Sequence, residues 1–244
     1  MTDQHDLAGK VVLVTGASRG IGYKAARDAG RRGAHVVAVA RTVGGLEELD
    51  DEIQAAGGST TIVPLDLQDY DGIDRLGAAV FERWGRLDGL IGNAGMLGTL
   101  SPLPHLAPAE FEKVLAVNVT ANYRLIRSFD LPLRKAEAGR VVFVSSGVAQ
   151  NARPYWSLYA ASKAALEVLV KSYAAEMASS PVRANAFNPG PVRTAMRAKA
   201  MPGEDPETLP SPEVVAPRLV DMVTPGFSDT GQLYDYPSGK LRPL

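Results

Sequence analysis

The stretch "KVVLVTGASRGIGYKAARDAGRR" (10–32) decides the architecture. It opens with a run of apolar, β-branched side chains, the composition of a strand buried on both faces. A helical period takes over near Ile21 and runs to Arg32. Between them stands "TGASRGIG" (15–22), with Gly16, Gly20 and Gly22. A strand that turns through glycines into a helix brings free main-chain amides and a positive helix end to one point, which suits a pyrophosphate. Glycine permits both the sharp turn and the close approach of main chain to phosphate oxygens. The spacing is Gly-x-x-x-Gly-x-Gly rather than Gly-x-Gly-x-x-Gly, so the strand–loop–helix context carries this reading.

The rhythm repeats outward from that unit. Strands are expected at "AHVVAVA" (34–40), "TTIVPL" (60–65), "LDGLIG" (87–92), "GRVVFVS" (139–145), "VRANAF" (182–187) and "TGQLYDY" (230–236). Helices are expected near 46–55, 70–84, 108–127 and 158–178. This alternation predicts an α/β fold in a single domain, 1–244: a Rossmann-like, doubly wound parallel sheet of about seven strands with helices on both faces. The segment "MRAKAMPGEDPETLPSP" (196–212) breaks the rhythm and reads either as a substrate-site lid or as a plain long loop.

Bulk properties narrow the function. The 244 residues carry 26 basic and 27 acidic side chains, a net charge of −1, which gives no footing for a nucleic-acid or membrane-surface partner. With no cysteine, disulfides, thiol catalysis and thiolate-bound zinc are excluded. His5, His35 and His105 are scattered, so no metal site is expected. The start "MTDQHDLAGK" has no apolar core of a signal peptide, and no apolar run approaches ~20 residues, so the expected location is cytoplasmic.

The second strand ends in "AVAR", with Arg41 where an acid would accept a ribose 2′-hydroxyl. Arg41 and Arg19 suit a 2′-phosphate instead, which favours NADP(H) over NAD(H). A second constellation is "SLYAASKAAL" (157–166), which sets Tyr159 and Lys163 on one helix face. The other Tyr-x-x-x-Lys match, "YPSGK" (236–240), contains Pro237 and Gly239 and is not helical. An ammonium ~4 Å from a phenol, at an effective dielectric of ~20, supplies about 4 kcal/mol. That matches the ~3 pKa units between a free phenol and neutral pH, so lysine is expected to lower the tyrosine pKa.

Taken in order, "TGASRGIG" (15–22), "LDL" with Asp66, "NAG" (93–95), "VN" with Asn118, "VSS" (144–146), "YAASK" (159–163) and "NPGPVRT" (188–194) resemble the motifs of the short-chain dehydrogenase/reductase superfamily, over about residues 8–236. The resemblance implies a catalytic tetrad of Asn118, Ser146, Tyr159 and Lys163, with Ser146 preferred over Ser145 by its spacing to the tyrosine. It implies that Asn118 holds a water relaying protons to Lys163. The implied cofactor contacts are Gly16, Ser18, Arg19, Gly20, Ile21, Gly22, Arg41, Asp66, Leu67, Asn93, Ala94, Gly95, Tyr159, Lys163, Pro189, Gly190, Val192 and Thr194. The implied activity is hydride transfer between nicotinamide and a small carbonyl or alcohol substrate, in a homodimer or homotetramer. The alternative is a non-catalytic, NADPH-binding regulatory or scaffold protein. Met96, Leu97, Val148, Tyr155, Trp156, Pro191 and Met196 are expected to wall an apolar substrate pocket, which leaves ketones, quinones, acyl thioesters and sterol-like alcohols equally open.

Overall fold

The computed structural model describes residues 5–151 and 153–244. Strand β1 (Val11–Thr15) turns into helix α1 (Gly20–Arg31), followed by β2 (His35–Ala40), α2 (Val43–Ala55), β3 (Ser59–Pro64), α3 (Tyr70–Trp84) and β4 (Gly89–Gly92). The second half runs α4 (Pro108–Leu115), α5 (Ala121–Lys135), β5 (Arg140–Val144), α6 (Ser157–Glu176), β6 (Arg183–Asn188), α7 (Ala195–Ala200), α8 (Pro212–Asp221), β7 (Gln232–Asp235) and β8 (Lys240–Pro243). The sheet order is β3-β2-β1-β4-β5-β6-β7-β8. The order reverses between β1 and β4, so a crevice opens at their carboxyl ends, where α/β sheets bind ligands.

Period-two alternation splits the core into two layers. Val12, Val14, Val36 and Ala38 pack with Ala25 and Ala29 of α1, Leu46 and Ile53 of α2 and Leu219 of α8. Val11, Leu13, Val37 and Val39 pack on the other face with Ile73 of α3, Phe129 of α5 and Leu166 of α6. Each fully buried Val, Leu, Ile or Phe among them contributes ~1.5–3 kcal/mol. A third, small cluster joins Leu97, Val148 and Tyr159, with Leu100, Trp156, Ala160 and Ala200 packed against it.

Three features differ from the sequence reading. The last strand, β8, is an eighth strand and pairs antiparallel with β7. The "YPSGK" stretch is the turn of that hairpin, with Gly239 at φ +66. The expected helix 108–127 is two helices, α4 and α5, joined through a π-helical segment at Ala116–Thr120. α5 then runs past 127 to Lys135 with Pro132 inside it. Proline there removes one main-chain bond, to the Ser128 carbonyl. At that carbonyl α3 crosses closely, because a Cβ on Gly77 would lie 2.6 Å from it. Finally, α7 and α8 fill a region where the sequence rhythm showed only a break, since both are short and proline-flanked.

Candidate functional site

A cavity of about 1400 Å³ opens at the carboxyl edge of the sheet. Its floor begins at the β1–α1 turn. Gly16 adopts φ +67, and a Cβ there would lie 2.8 Å from Asn93 Nδ2. Thr15 and Asn93 hold this floor together. The amides of Asn93 and Ala94 donate to Thr15 Oγ1 at 3.0 and 3.1 Å, and Asn93 Nδ2 donates to the Thr15 carbonyl at 3.0 Å. Thr15 is therefore a positioning residue that the sequence reading missed. Its signal was a lone buried hydroxyl at the end of an apolar strand.

The α1 N-terminus meets the cavity with no side-chain cap and no acid in its first turn. Its free amides and positive end fit a pyrophosphate. Arg41 follows β2 and pairs with Asp66 across 3.7 Å; both side chains are well exposed. Such a pair is worth at most ~1 kcal/mol and yields readily to a phosphate. Thr42, which opens α2 uncapped, lines the same wall. These features fit a phosphorylated dinucleotide.

Every expected site residue lines the cavity except Gly22 and Asn118. Gly22 lies beneath the loop, where a Cβ would sit 2.2 Å from Asn93 Nδ2 and 2.4 Å from the Gly16 carbonyl. Asn118 is fully buried in the π-helical segment. Its Oδ1 accepts from the Met96 amide at 2.8 Å, and its Nδ2 donates to the Met96 carbonyl at 2.8 Å and to Ser162 Oγ at 2.9 Å. The side chain thus ties the 93–96 loop to α6. Both of its side-chain donors are used within the protein.

The two serines at the end of β5 separate cleanly. Ser145 Oγ donates to Glu167 Oε1 at 2.5 Å inside the protein, while Ser146 extends toward the cavity and caps the turn behind it. Asn188 fixes that turn: its Oδ1 accepts from the amides of Gly147 at 2.9 Å and Gly190 at 3.1 Å, and its Nδ2 donates to Asp235 at 2.6 Å. It thereby joins the Ser146 turn to the Pro189–Gly190 turn. The reading of "NPGPVRT" began at the proline and passed over this residue.

Tyr159 and Lys163 rise side by side from α6. Trp156 packs edge-on against the Tyr159 ring at 6.3 Å. Lys163 Nζ donates to the Val144 carbonyl at 2.7 Å and stands 5.7 Å from the Tyr159 ring centroid. Burial pushes the Tyr159 phenol up to about 12. This corrects the expected lowering. The ammonium is directed at main chain, and desolvation of the phenolate dominates. Burial pushes Lys163 down to about 8, opposed by the charge of Glu167 one turn along the helix. Glu167 is a further missed residue. It also accepts from Gln150 Nε2 at 3.1 Å, and Gln150 Oε1 in turn accepts from Arg242 of β8.

Met96, Leu97, Val148, Trp156, Pro191 and Met196 also line the cavity. Tyr155 is not part of the wall. Its side chain is exposed, its φ is +72, and its carbonyl accepts from the Ser101 amide at 3.1 Å. The 196–212 segment contributes α7, is braced by Arg197–Glu204 and Arg193–Glu207 ion pairs at 2.5 Å, and closes one side of the cavity. Among the described residues, no helix is long and apolar enough to cross a membrane.

The profile of the family described as short chain dehydrogenase matches residues 10–205. The uncharacterized oxidoreductase YciK of Escherichia coli K12 is 35% identical over 235 residues, covering 95% of this chain and 93% of that protein. A short chain dehydrogenase of Escherichia coli CFT073, solved in complex with NADPH, superposes with a TM-score of 0.90 at 35% identity, over 96% of this chain and 99% of that one. One from Shigella flexneri 2a strain 301, complexed with NADP, gives a TM-score of 0.90 at 35% identity, over 96% of this chain and 100% of that one.

Proposed function

The chain belongs to the short-chain dehydrogenase family, and from that premise we propose that it is an NADP(H)-dependent oxidoreductase that reduces a small-molecule carbonyl to the alcohol. The observation that carries this reading is the placement of Ser146, Tyr159 and Lys163 on the wall of the same cavity as the uncapped α1 N-terminus.

The glycine loop and α1 amides would hold the pyrophosphate, Arg19 and Arg41 the 2′-phosphate, and Asp66 and Leu67 the adenine; Pro189, Gly190, Val192 and Thr194 would hold the nicotinamide end. When bound, the nicotinamide supplies a hydride to the carbonyl carbon. Ser146 donates a hydrogen bond to the carbonyl oxygen and fixes its direction. Tyr159 delivers the proton to that oxygen. A phenol raised to about 12 keeps its proton across the neutral range, so the site stands ready as a proton donor, the form that reduction needs. Lys163, anchored on the Val144 carbonyl, places a cation beside the phenolate as it forms. The 196–212 segment acts as a lid over the substrate, and the chain works as a homodimer or homotetramer.

Two measurements bear on these roles. Arg41→Asp weakens NADPH by on the order of 100-fold and NADH by less than about threefold, because only the former presents a phosphate to position 41. Fluorescence titration with both cofactors reads this, and equal weakening removes Arg41 from the 2′-phosphate. Glu167→Gln removes the charge that opposes burial at Lys163, so the lysine loses its proton at lower pH than about 8. The alkaline limb of the kcat profile then starts at lower pH than in the wild type. An unmoved limb means that Glu167 does not set the charge of Lys163.

A further inference from the structure

Eight cationic and three acidic side chains line the cavity, although the whole chain carries a net charge of −1. Most of that positive charge is already spent. Lys24 is paired with Glu213 at 2.7 Å, Arg41 with Asp66, Arg193 with Glu207 and Arg197 with Glu204. Lys163 is held by the Val144 carbonyl. Among the described residues this leaves Arg19, Arg153 and Lys199 without a side-chain hydrogen bond or ion pair. Arg19 belongs to the glycine loop and answers to the cofactor. Arg153 and Lys199 stand at the other end, on the loop before α6 and on α7.

Apolar surface separates these two cations from the reacting centre. Ala200, the residue after Lys199, packs into the cluster of Leu97, Val148 and Tyr159, as does Trp156, three residues after Arg153. Glu110 is the one acid of the wall with no cation beside it, and it is engaged as acceptor from Thr99 Oγ1 at 2.7 Å. Arg153 and Lys199 therefore face the substrate space with their charge unanswered by the protein. Charge-assisted hydrogen bonds to such cations are strongest for carboxylate and phosphate.

Resting on the reading of this cavity as a carbonyl-reducing site, we infer that the substrate is an amphiphilic carbonyl compound bearing an anionic group. Arg153 and Lys199 bind the anion, and Leu97, Val148 and Trp156 bind the apolar body between it and the carbonyl. This narrows the open list of carbonyl classes: neutral ketones and sterol-like alcohols lack the group that these cations select.

Three aldehydes of matched shape test it: 4-formylbenzoate, 4-formylphenyl phosphate and the neutral methyl 4-formylbenzoate. Their dissociation constants are measured on the protein saturated with NADP⁺, where no reduction occurs. At least one anion is expected to bind about tenfold tighter than the ester, and the preference falls as salt is raised. Which anion leads identifies carboxylate or phosphate as the recognised group. In Arg153→Ala/Lys199→Ala the preference disappears while NADPH affinity, set at the opposite end, holds. Both residues are exposed, so the variant keeps its fold. Equal binding of all three probes by the wild type overturns the inference, as does a preference that survives in the double variant. NADPH oxidation with the same aldehydes is read separately. Its absence beside a clear anion preference counts against the reductase reading alone, and turnover without preference counts against the anion site alone.

Discussion

Tyr159→Phe lowers kcat by on the order of 10³-fold or more and leaves the NADPH dissociation constant within about twofold. The variant deletes one oxygen and keeps the ring that Trp156 packs against, so the helix and cavity wall persist. What is lost is, among the described residues of the cavity wall, the phenolic hydroxyl whose ring has the buried Lys163 ammonium beside it. Ser146 cannot replace it: no cation is anchored beside Ser146 as Lys163 is beside Tyr159, 5.7 Å from its ring. An alcohol of that kind gives up its proton far too reluctantly to take over. Steady-state NADPH oxidation, paired with cofactor fluorescence, separates the loss of chemistry from a loss of binding. Turnover retained within tenfold of wild type would sink the proton-donor assignment, and a parallel collapse of NADPH affinity would move Tyr159 from chemistry to cofactor binding.

Gly22→Ala is expected to carry the second large effect, on both stability and cofactor affinity. The new methyl would sit 2.2 Å from Asn93 Nδ2 and 2.4 Å from the Gly16 carbonyl. The carbonyl is main chain and cannot swing aside, so the glycine turn itself must move. Overpacking of this kind costs ~1–3 kcal/mol. For a chain of this size that lowers Tm by roughly 2–12 °C. Moving the turn also misplaces the amides that hold the pyrophosphate, so NADPH affinity falls by on the order of tenfold or more. Added NADPH then restores less of the lost Tm than it adds to the wild type. A thermal melt with and without cofactor measures both effects, and an unchanged melt together with unchanged affinity would show that the α1 entrance accommodates a methyl group.

The sheet was legible because β-branched runs and helical periods alternate clearly from Val11 to Gly92. The C-terminal third was harder. α7 is only 6 residues long, and α8, 10 residues long, starts on Pro212 and carries Pro217 inside, so neither gives a sustained helical pattern. The π-helical insertion at Asn118 has no period of its own, and it merged with the helices on either side. The cofactor residues were legible because main-chain geometry at Gly16 and Gly22 demands glycine. The supports behind them, Thr15, Asn188 and Glu167, were not, because each acts through partners 20 to 80 positions away that only the fold brings together. The titration of Tyr159 was misjudged for a related reason. A helix spacing gives the lysine's direction, but burial and the Val144 carbonyl set the balance of charge.

The small cluster of Leu97, Val148, Tyr159 and their neighbours is separate from the two large layers that hold the sheet together. Its consequence is evolutionary. Changes in that cluster act on a few neighbours only, whereas the glycine turn is locked to β1, β4 and α1 through Thr15 and Asn93. Laboratory selection for new substrates should therefore accumulate changes at Leu97, Val148, Trp156 and Ala200 long before it touches the glycine turn.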